Sequence, residues 1–184
     1  SRRKLPTTCP GSYASMSEGG WDTATAHRVA ATLPPGALVE LVSFLPGFTA
    51  IPATPFQRPD GCVYLKDYTA VIFGSPEQAE AIYAASKIGY FLFDVSPDAA
   101  VVWSGLSPFF TPESIRSRLQ LVRHFTSPTR DLYLLTWRQG DTFAERETFD
   151  VFLDKWAAML AMERQTGYFH GSYDEAARLI GLRP

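Results

Sequence analysis

Asp94 is the side chain whose type and position most clearly suggest chemistry in this sequence. It stands near the end of the apolar segment 90–95 (YFLFDV). A carboxylate in such surroundings is costly unless it is hydrogen-bonded, paired or solvated. Two interpretations stay open. Asp94 could belong to a ligand site, or it could cap a turn with Ser96 and Pro97, which general turn chemistry favours.

Four further residues are candidates for ligand binding. Open parallel sheets bind ligands at the carboxyl ends of their strands, where we expect Ser43, Ser75 and Arg138 together with Asp94. Ser75 stands at a predicted helix start, where free N–H groups could hold an anion, although a plain helix cap is the simpler interpretation. Trp103 ends a predicted short strand beside a predicted loop and could stack on a sugar ring. The aromatic residues of the predicted loops, which could equally pack in the core, are Trp103, Phe109, Phe110, Tyr168 and Phe169.

The sequence predicts no metal site and no cofactor. His27, His124 and His170 are far apart and lack the spacing of metal ligands. No GxGxxG, Walker or GxSxG pattern occurs, so nucleotide binding and hydrolase chemistry are unsupported. Three acidic residues (Glu147, Asp150 and Asp154) stand opposite an apolar stripe and are most simply the wet face of a helix.

Composition limits the partners and the location of the chain. The net charge of −2 and the pI of about 5.9 give no broad positive field, so we expect no nucleic acid partner. Hydrophobic residues make up 46% of the 184 residues, enough for one packed core. The chain starts with a basic run and no Met, which suggests a piece of a longer protein. Such a run is typical of the flank of a transmembrane helix, but a free N-terminal arm is an equal alternative.

The two cysteines, Cys9 and Cys62, stand in segments rich in Pro and Gly. A disulfide between them could join a loose N-terminal arm to the body of the domain and would imply an oxidising compartment. Two unrelated thiols in a cytosolic protein are an equally weighted alternative.

The pattern of apolar residues predicts an irregular arm over residues 1–20 and one α/β domain over residues 21–184. The predicted helices start at Asp22 or Thr23, after Ser75 (to Gly89), after Thr111 (to about 126), near Phe149 and at 173. The predicted strands cover 37–44, 69–73, 90–95, 99–103 and 131–137, with a long loop over 46–61. This alternation predicts a mostly parallel or mixed sheet of about 4–5 strands, with helices on both faces in a Rossmann-like three-layer arrangement.

Three segments carry a resemblance to a known family. They are 33–37 (LPPGA) after a helix, 88–94 (IGYFLFD) and 132–135 (LYLL). Over residues 22–138 their order resembles the domain that follows the transmembrane helices in polytopic bacterial glycosyltransferase-like membrane proteins of the GT-C class. The resemblance implies a non-catalytic extracytoplasmic accessory domain, because the catalytic acid of that family lies in its membrane part. The implied partners are the membrane part of the same polypeptide and a glycan or lipid-linked sugar, and the implied location is the periplasmic or extracellular face of a bacterial membrane.

Two other function classes stay open. One is a small-molecule enzyme whose site lies around Asp94, which a buried, charge-paired Asp94 in a deep pocket would favour. The other is a cytosolic binding module, which two reduced thiols would favour.

Overall fold

The structure is a computed structural model that describes residues 23–42, 48–50, 63–64, 68–97, 99, 107–140 and 145–166. The helices are α1 (Thr23–Thr32), α2 (Tyr68–Phe73), α3 (Pro76–Ala85), α4 (Pro112–Arg118) and α5 (Arg146–Thr166), with a 3₁₀ helix at Pro108–Phe110. The strands are β1 (Leu38–Val42), β2 (Phe48–Ala50), β3 (Val63–Tyr64), β4 (Ile88–Asp94), β5 (Leu119–Thr126) and β6 (Asp131–Trp137).

Two helix starts have the local geometry that the sequence predicts. At α3 the Ser75 hydroxyl accepts from the Gln78 amide at 3.2 Å, and the Gln78 side chain accepts from the Ser75 amide at 2.8 Å. This capping box satisfies two backbone donors that the first helical turn leaves open. At α4 the Thr111 hydroxyl accepts from the Ser114 amide at 3.2 Å. Both predicted helix starts are confirmed. They could be predicted because each depends on residues within four positions of one another.

The strands form one six-stranded sheet in the order β3-β2-β1-β4-β6-β5. Strand β1 pairs with β4 in parallel, and the other described pairs are antiparallel. The α/β class and the mixed sheet are therefore confirmed. A Rossmann-like three-layer order is not confirmed, since the described pairings contain a single parallel one.

Hydrophobic residues are buried on both faces of this sheet because successive strand residues alternate between the faces. In β4, Phe91 and Phe93 pack under α3 and α5, whereas Leu92 packs on the other face with Val29 of α1. The predicted apolar stripe of α5 is confirmed as buried. Its members are Phe149, Phe152, Leu153, Trp156 and Leu160.

The strand predicted over 69–73 is wrong, because the segment belongs to helix α2. A short apolar run has no period that separates a strand from a buried helix. Val71 and Ile72 are both fully buried at the end of this helix. Gly74 follows with its amide on the Ala70 carbonyl at 2.8 Å, and a Cβ at Gly74 would stand 2.3 Å from that oxygen. The glycine is therefore needed by the helix end.

The helix predicted to continue to residue 126 is also wrong, since α4 ends at Arg118 and β5 begins at Leu119. Its apolar spacing fits a helix only if Val122 faces the core. In the structure the register shifts between Leu121 and Arg123, and this bulge leaves Val122 exposed. Helix α3 likewise stops at Ala85 rather than at Gly89, which lies inside β4.

Several predictions lie outside the described residues. These are the arm over 1–20, the pair Cys9 and Cys62, Ser43, Trp103, Tyr168, Phe169, most of the strand over 99–103, most of the loop over 46–61 and the helix at 173.

Candidate functional site

Asp94 ends β4 at the carboxyl edge of the parallel pair β1 and β4, and it is buried. One carboxylate oxygen accepts from the Ser96 amide at 3.0 Å, so the predicted turn is confirmed. The other oxygen accepts from the Arg130 guanidinium at 3.2 Å, and the two side chains are 9% and 5% exposed. Asp94 therefore caps a turn and is also half of a buried ion pair.

Beside this pair lies a second group of polar side chains, which we call the polar edge cluster: His124, Asp131, Tyr133 and Lys155. The imidazole Nε2 of His124 lies 2.5 Å from one Asp131 oxygen, and the Lys155 ammonium donates to the other at 2.6 Å. Lys155 also donates to the Tyr133 hydroxyl at 3.0 Å. His124 stacks on the Tyr133 ring at 4.0 Å with 10° between the planes.

The β5–β6 hairpin brings three members of the cluster together. Its register places His124 opposite Tyr133 and Thr126 opposite Asp131. The turn over residues 127–130 is closed by the Ser127 amide on the Arg130 carbonyl at 2.9 Å. Lys155 reaches the same point from α5. His124, two residues before the end of β5, is thus a diagonal neighbour of Asp131, the first residue of β6, and lies within hydrogen-bond reach of it.

The same edge holds Asp94 because β4 is antiparallel to β6, with Asp94 opposite Leu132. The Ser96 hydroxyl accepts from the Asp131 amide at 2.9 Å, and the Val95 amide donates to the Asp131 carbonyl at 2.9 Å. Through these two bonds the backbone of Asp131 is fixed to the segment that follows β4. The position of the Asp131 carboxylate is therefore set by the tertiary structure and not by its own turn alone.

The cluster is partly open to solvent. The side chains of His124, Asp131 and Lys155 are 28%, 23% and 40% exposed. The three side chains are therefore partly exposed while their hydrogen-bond partners hold them in place. The cluster differs in this respect from the buried pair of Asp94 and Arg130.

The charges in the cluster are set by burial and by the partners. Partial burial lowers the pKa of Lys155, but its hydrogen bonds to Asp131 and Tyr133 raise that pKa more, so it lies above 10.5. Burial raises the pKa of the Tyr133 hydroxyl above 10.0, and the hydrogen bond from Lys155 opposes that shift. At neutral pH Lys155 is an ammonium and Tyr133 is a neutral phenol. Neither has the lowered pKa that activates a nucleophile.

The expectation that the strand ends gather Arg138 and Asp94 is wrong. Strand β6 is antiparallel to β4 and starts where β4 ends, so Arg138, which follows β6, lies beside the start of β4, at the opposite end of the strands from Asp94. There its guanidinium donates to the carbonyls of Gly140 and Arg116. The carboxyl-end rule depends on parallel strands, and β6 does not satisfy it.

The remaining sequence candidates have mainly structural roles where they are described. Ser75 caps α3, as the simpler interpretation predicts, and it follows a helix rather than a strand. Phe109 and Phe110 are fully buried, so they pack in the core and offer no stacking surface. Asp150 on the wet face of α5 pairs with Arg116 at 2.8 Å.

Sequence reasoning missed Glu40, a fully buried carboxylate in β1. It is the one charged residue in the segment 37–44 (ALVELVSF), and that isolation was the available signal. Burial raises the pKa of Tyr83 well above 10.0, and the charge of Glu40 raises it further. The two groups therefore lie close together inside the core, at a position a ligand could not reach without a rearrangement.

Comparison with family models, with curated protein sequences and with solved structures finds no match to this chain. Across the described ranges, no three His, Cys, Asp or Glu side chains are grouped so as to hold a metal ion. In the same part of the chain, no helix has the length and apolar character needed to cross a bilayer.

Proposed function

We propose that this chain is a non-catalytic accessory domain of a membrane-anchored glycosyltransferase-like protein, at the extracytoplasmic face of a bacterial membrane. In this proposal it contacts a glycan or lipid-linked sugar through the polar edge cluster, and the membrane part of the same polypeptide is its other partner. The order of the segments 33–37, 88–94 and 132–135 motivates the placement. The cluster motivates the contact.

The observation that carries a binding role is the state of Lys155. Its ammonium is held by Asp131 and Tyr133 at 2.6 and 3.0 Å, and 40% of the side chain faces solvent. An ammonium with a raised pKa donates hydrogen bonds but is a poor nucleophile or base. Fixed donors beside a carboxylate suit recognition of a polar ligand, because the ordering cost is met within the fold.

The test is a titration of the full chain with a farnesyl-phosphoryl-glucose probe, followed by amide chemical shifts. Shifts should concentrate in residues 124–133 and around Lys155. The variant Lys155→Met should weaken binding about tenfold, since a hydrogen bond from a charged group is lost. The matched control is Lys87→Met, because Lys87 is exposed and lies before β4, at the other edge of the sheet. Equal affinity of the two variants, or shifts confined to other surfaces, would refute the contact.

The geometry also favours a second function, that of a small-molecule enzyme. Asp131 lies 2.5 Å from the Nε2 atom of His124 and could orient the imidazole as a general base. The nearby Asp94 is buried and charge-paired, which is one of the two features that would favour an enzyme; the other is a deep pocket. In this second function His124 accepts, through its other ring nitrogen, the proton of a water molecule that attacks the acyl group, and Asp131 stabilises the imidazolium.

The enzyme hypothesis is tested with p-nitrophenyl acetate as a simple acyl probe. If His124 acts as a general base, His124→Ala should lower the rate by about 100-fold. His27→Ala is the control, because His27 is an exposed histidine on α1. A rate that both variants reduce equally, or that neither changes, would exclude this activity for His124.

A further inference from the structure

The charges of the polar edge cluster determine which part of a sugar-bearing ligand it can accept. Asp131 contributes one negative charge and Lys155 one positive charge at a separation of 2.6 Å. His124 adds a positive charge only when it is protonated. The neighbouring ions Asp94 and Arg130 are themselves paired. The charges of the cluster itself are therefore close to balance, and the Arg28 guanidinium lies outside it, on the Thr126 carbonyl at 3.2 Å.

The hydrogen-bonding groups of the cluster are of both kinds. Lys155 uses two of its three N–H donors on Asp131 and Tyr133. Each Asp131 oxygen accepts one of the bonds from His124 and Lys155, and a carboxylate oxygen has a second lone pair. A donor and an acceptor thus lie side by side on a surface that is partly exposed.

We infer that the polar edge cluster recognises a neutral, hydroxyl-rich group, such as the hydroxyl edge of a sugar, and discriminates against phosphate. A hydroxyl both donates and accepts, so a pair of neighbouring hydroxyls matches Asp131 and Lys155 together. A phosphate only accepts at its charged oxygens, and it would place its charge against the Asp131 carboxylate. Discrimination then comes from a repulsive element as well as from an attractive one. This inference rests on the proposed function, because it requires that the cluster binds a ligand.

The test compares methyl glucoside with inorganic phosphate, each titrated into the full chain while amide shifts are followed. Methyl glucoside should shift residues 124–133, and phosphate should not. The variant Asp131→Asn removes the negative charge and keeps the side-chain shape. It should weaken methyl glucoside binding about tenfold and should make phosphate binding detectable at the same surface. Asp150→Asn is the control, since Asp150 is an exposed carboxylate paired with Arg116 on another part of the surface.

The outcomes separate this inference from the proposed function. Phosphate binding at the cluster of the unmodified chain, with or without methyl glucoside, overturns the inference and leaves ligand contact intact. No binding of methyl glucoside, phosphate or farnesyl-phosphoryl-glucose overturns both. If Asp131→Asn does not fold, as judged by circular dichroism, Lys155→Met serves instead. That variant should weaken methyl glucoside binding without creating phosphate binding, and unchanged glucoside affinity would refute the inference.

Discussion

The buried pair of Asp94 and Arg130 provides the most direct test of how this edge of the sheet is held. The two side chains are 9% and 5% exposed and their charged atoms lie 3.2 Å apart. Asp94→Ala removes the carboxylate and leaves the guanidinium buried without it, which typically costs about 3–5 kcal/mol. The same change removes the hydrogen bond from the Ser96 amide, worth about 1 kcal/mol. Against a domain stability of about 5–15 kcal/mol, this loss is large.

Asp94→Asn separates the loss of the ion pair from the loss of the hydrogen bond to the Ser96 amide. The asparagine oxygen can still accept from the Ser96 amide, so the turn is kept while the charge is lost. We expect Asp94→Asn to cost about 3 kcal/mol and Asp94→Ala to cost about 1 kcal/mol more. Combining Asp94→Asn with Arg130→Met should cost less than the sum of the single changes, because the double variant buries neither charge.

The assay is urea denaturation of each variant, followed by tryptophan fluorescence and by circular dichroism. The control is the exposed pair of Arg116 and Asp150, whose side chains are 45% and 44% exposed. There Asp150→Ala should cost about 1 kcal/mol or less, since exposed pairs are solvated. A cost below about 1 kcal/mol for Asp94→Ala would show that leaving Arg130 without its carboxylate carries no burial penalty. Additive single changes in the double variant would show that the two charges are not coupled. Either result would refute the reasoning.

Three further predictions concern the core and a helix start. Because burial raises the pKa of Tyr83 well above 10.0, the unfolded state releases that proton first. The contribution of Tyr83 to the free energy of unfolding should thus be intact below about pH 10 and fall above it by about 1.4 kcal/mol per pH unit. Tyr83→Phe should reduce this slope, as measured by urea denaturation at about pH 9–11. Phe93→Ala should lower the free energy of unfolding by about 3–5 kcal/mol, measured by calorimetry or urea unfolding, and Phe93→Leu should lower it less. The reason is that the Phe93 ring packs against three other buried rings. The ring-centroid distances are 5.8 Å to Phe110, 4.9 Å to Phe152 and 5.1 Å to Trp156. Ser75→Ala should cost about 1 kcal/mol and Ser75→Asp much less, because only the alanine removes the cap on the Gln78 amide; equal losses would contradict the capping role.

Local chemistry was predictable where the deciding residues lie close in sequence. The capping box at Ser75, the Thr111 cap and the strand at Asp131–Trp137 all follow from neighbours within a few positions. The turn after Asp94 follows from the same kind of information, since its hydrogen bond spans two residues. Predicting these features needs no knowledge of the rest of the chain, although the strand forms only when it is paired.

The functional edge was predictable only in part, because its residues meet through pairing between distant segments. The sequence draws attention to Asp94, yet its ion-pair partner Arg130 lies 36 residues away. His124 was placed on a helix, and in that conformation it could not face Asp131 across a hairpin. Lys155 joins them from α5, 24 residues beyond Asp131.

The sequence alone determined the α/β class, the helix caps, the long amphipathic helix and the desolvation cost of placing a carboxylate in an apolar strand. Each of these depends on residue type and on a period of 2 or 3.6 residues. The tertiary structure decided the direction of the strands, the conversion of residues 119–126 from helix to strand, and which charges meet at the edge of the sheet. The physical reason is that a strand forms only when a partner strand satisfies its backbone hydrogen bonds, and β6 supplies that partner to β5. The choice between helix and strand in that segment is therefore made by the fold as a whole.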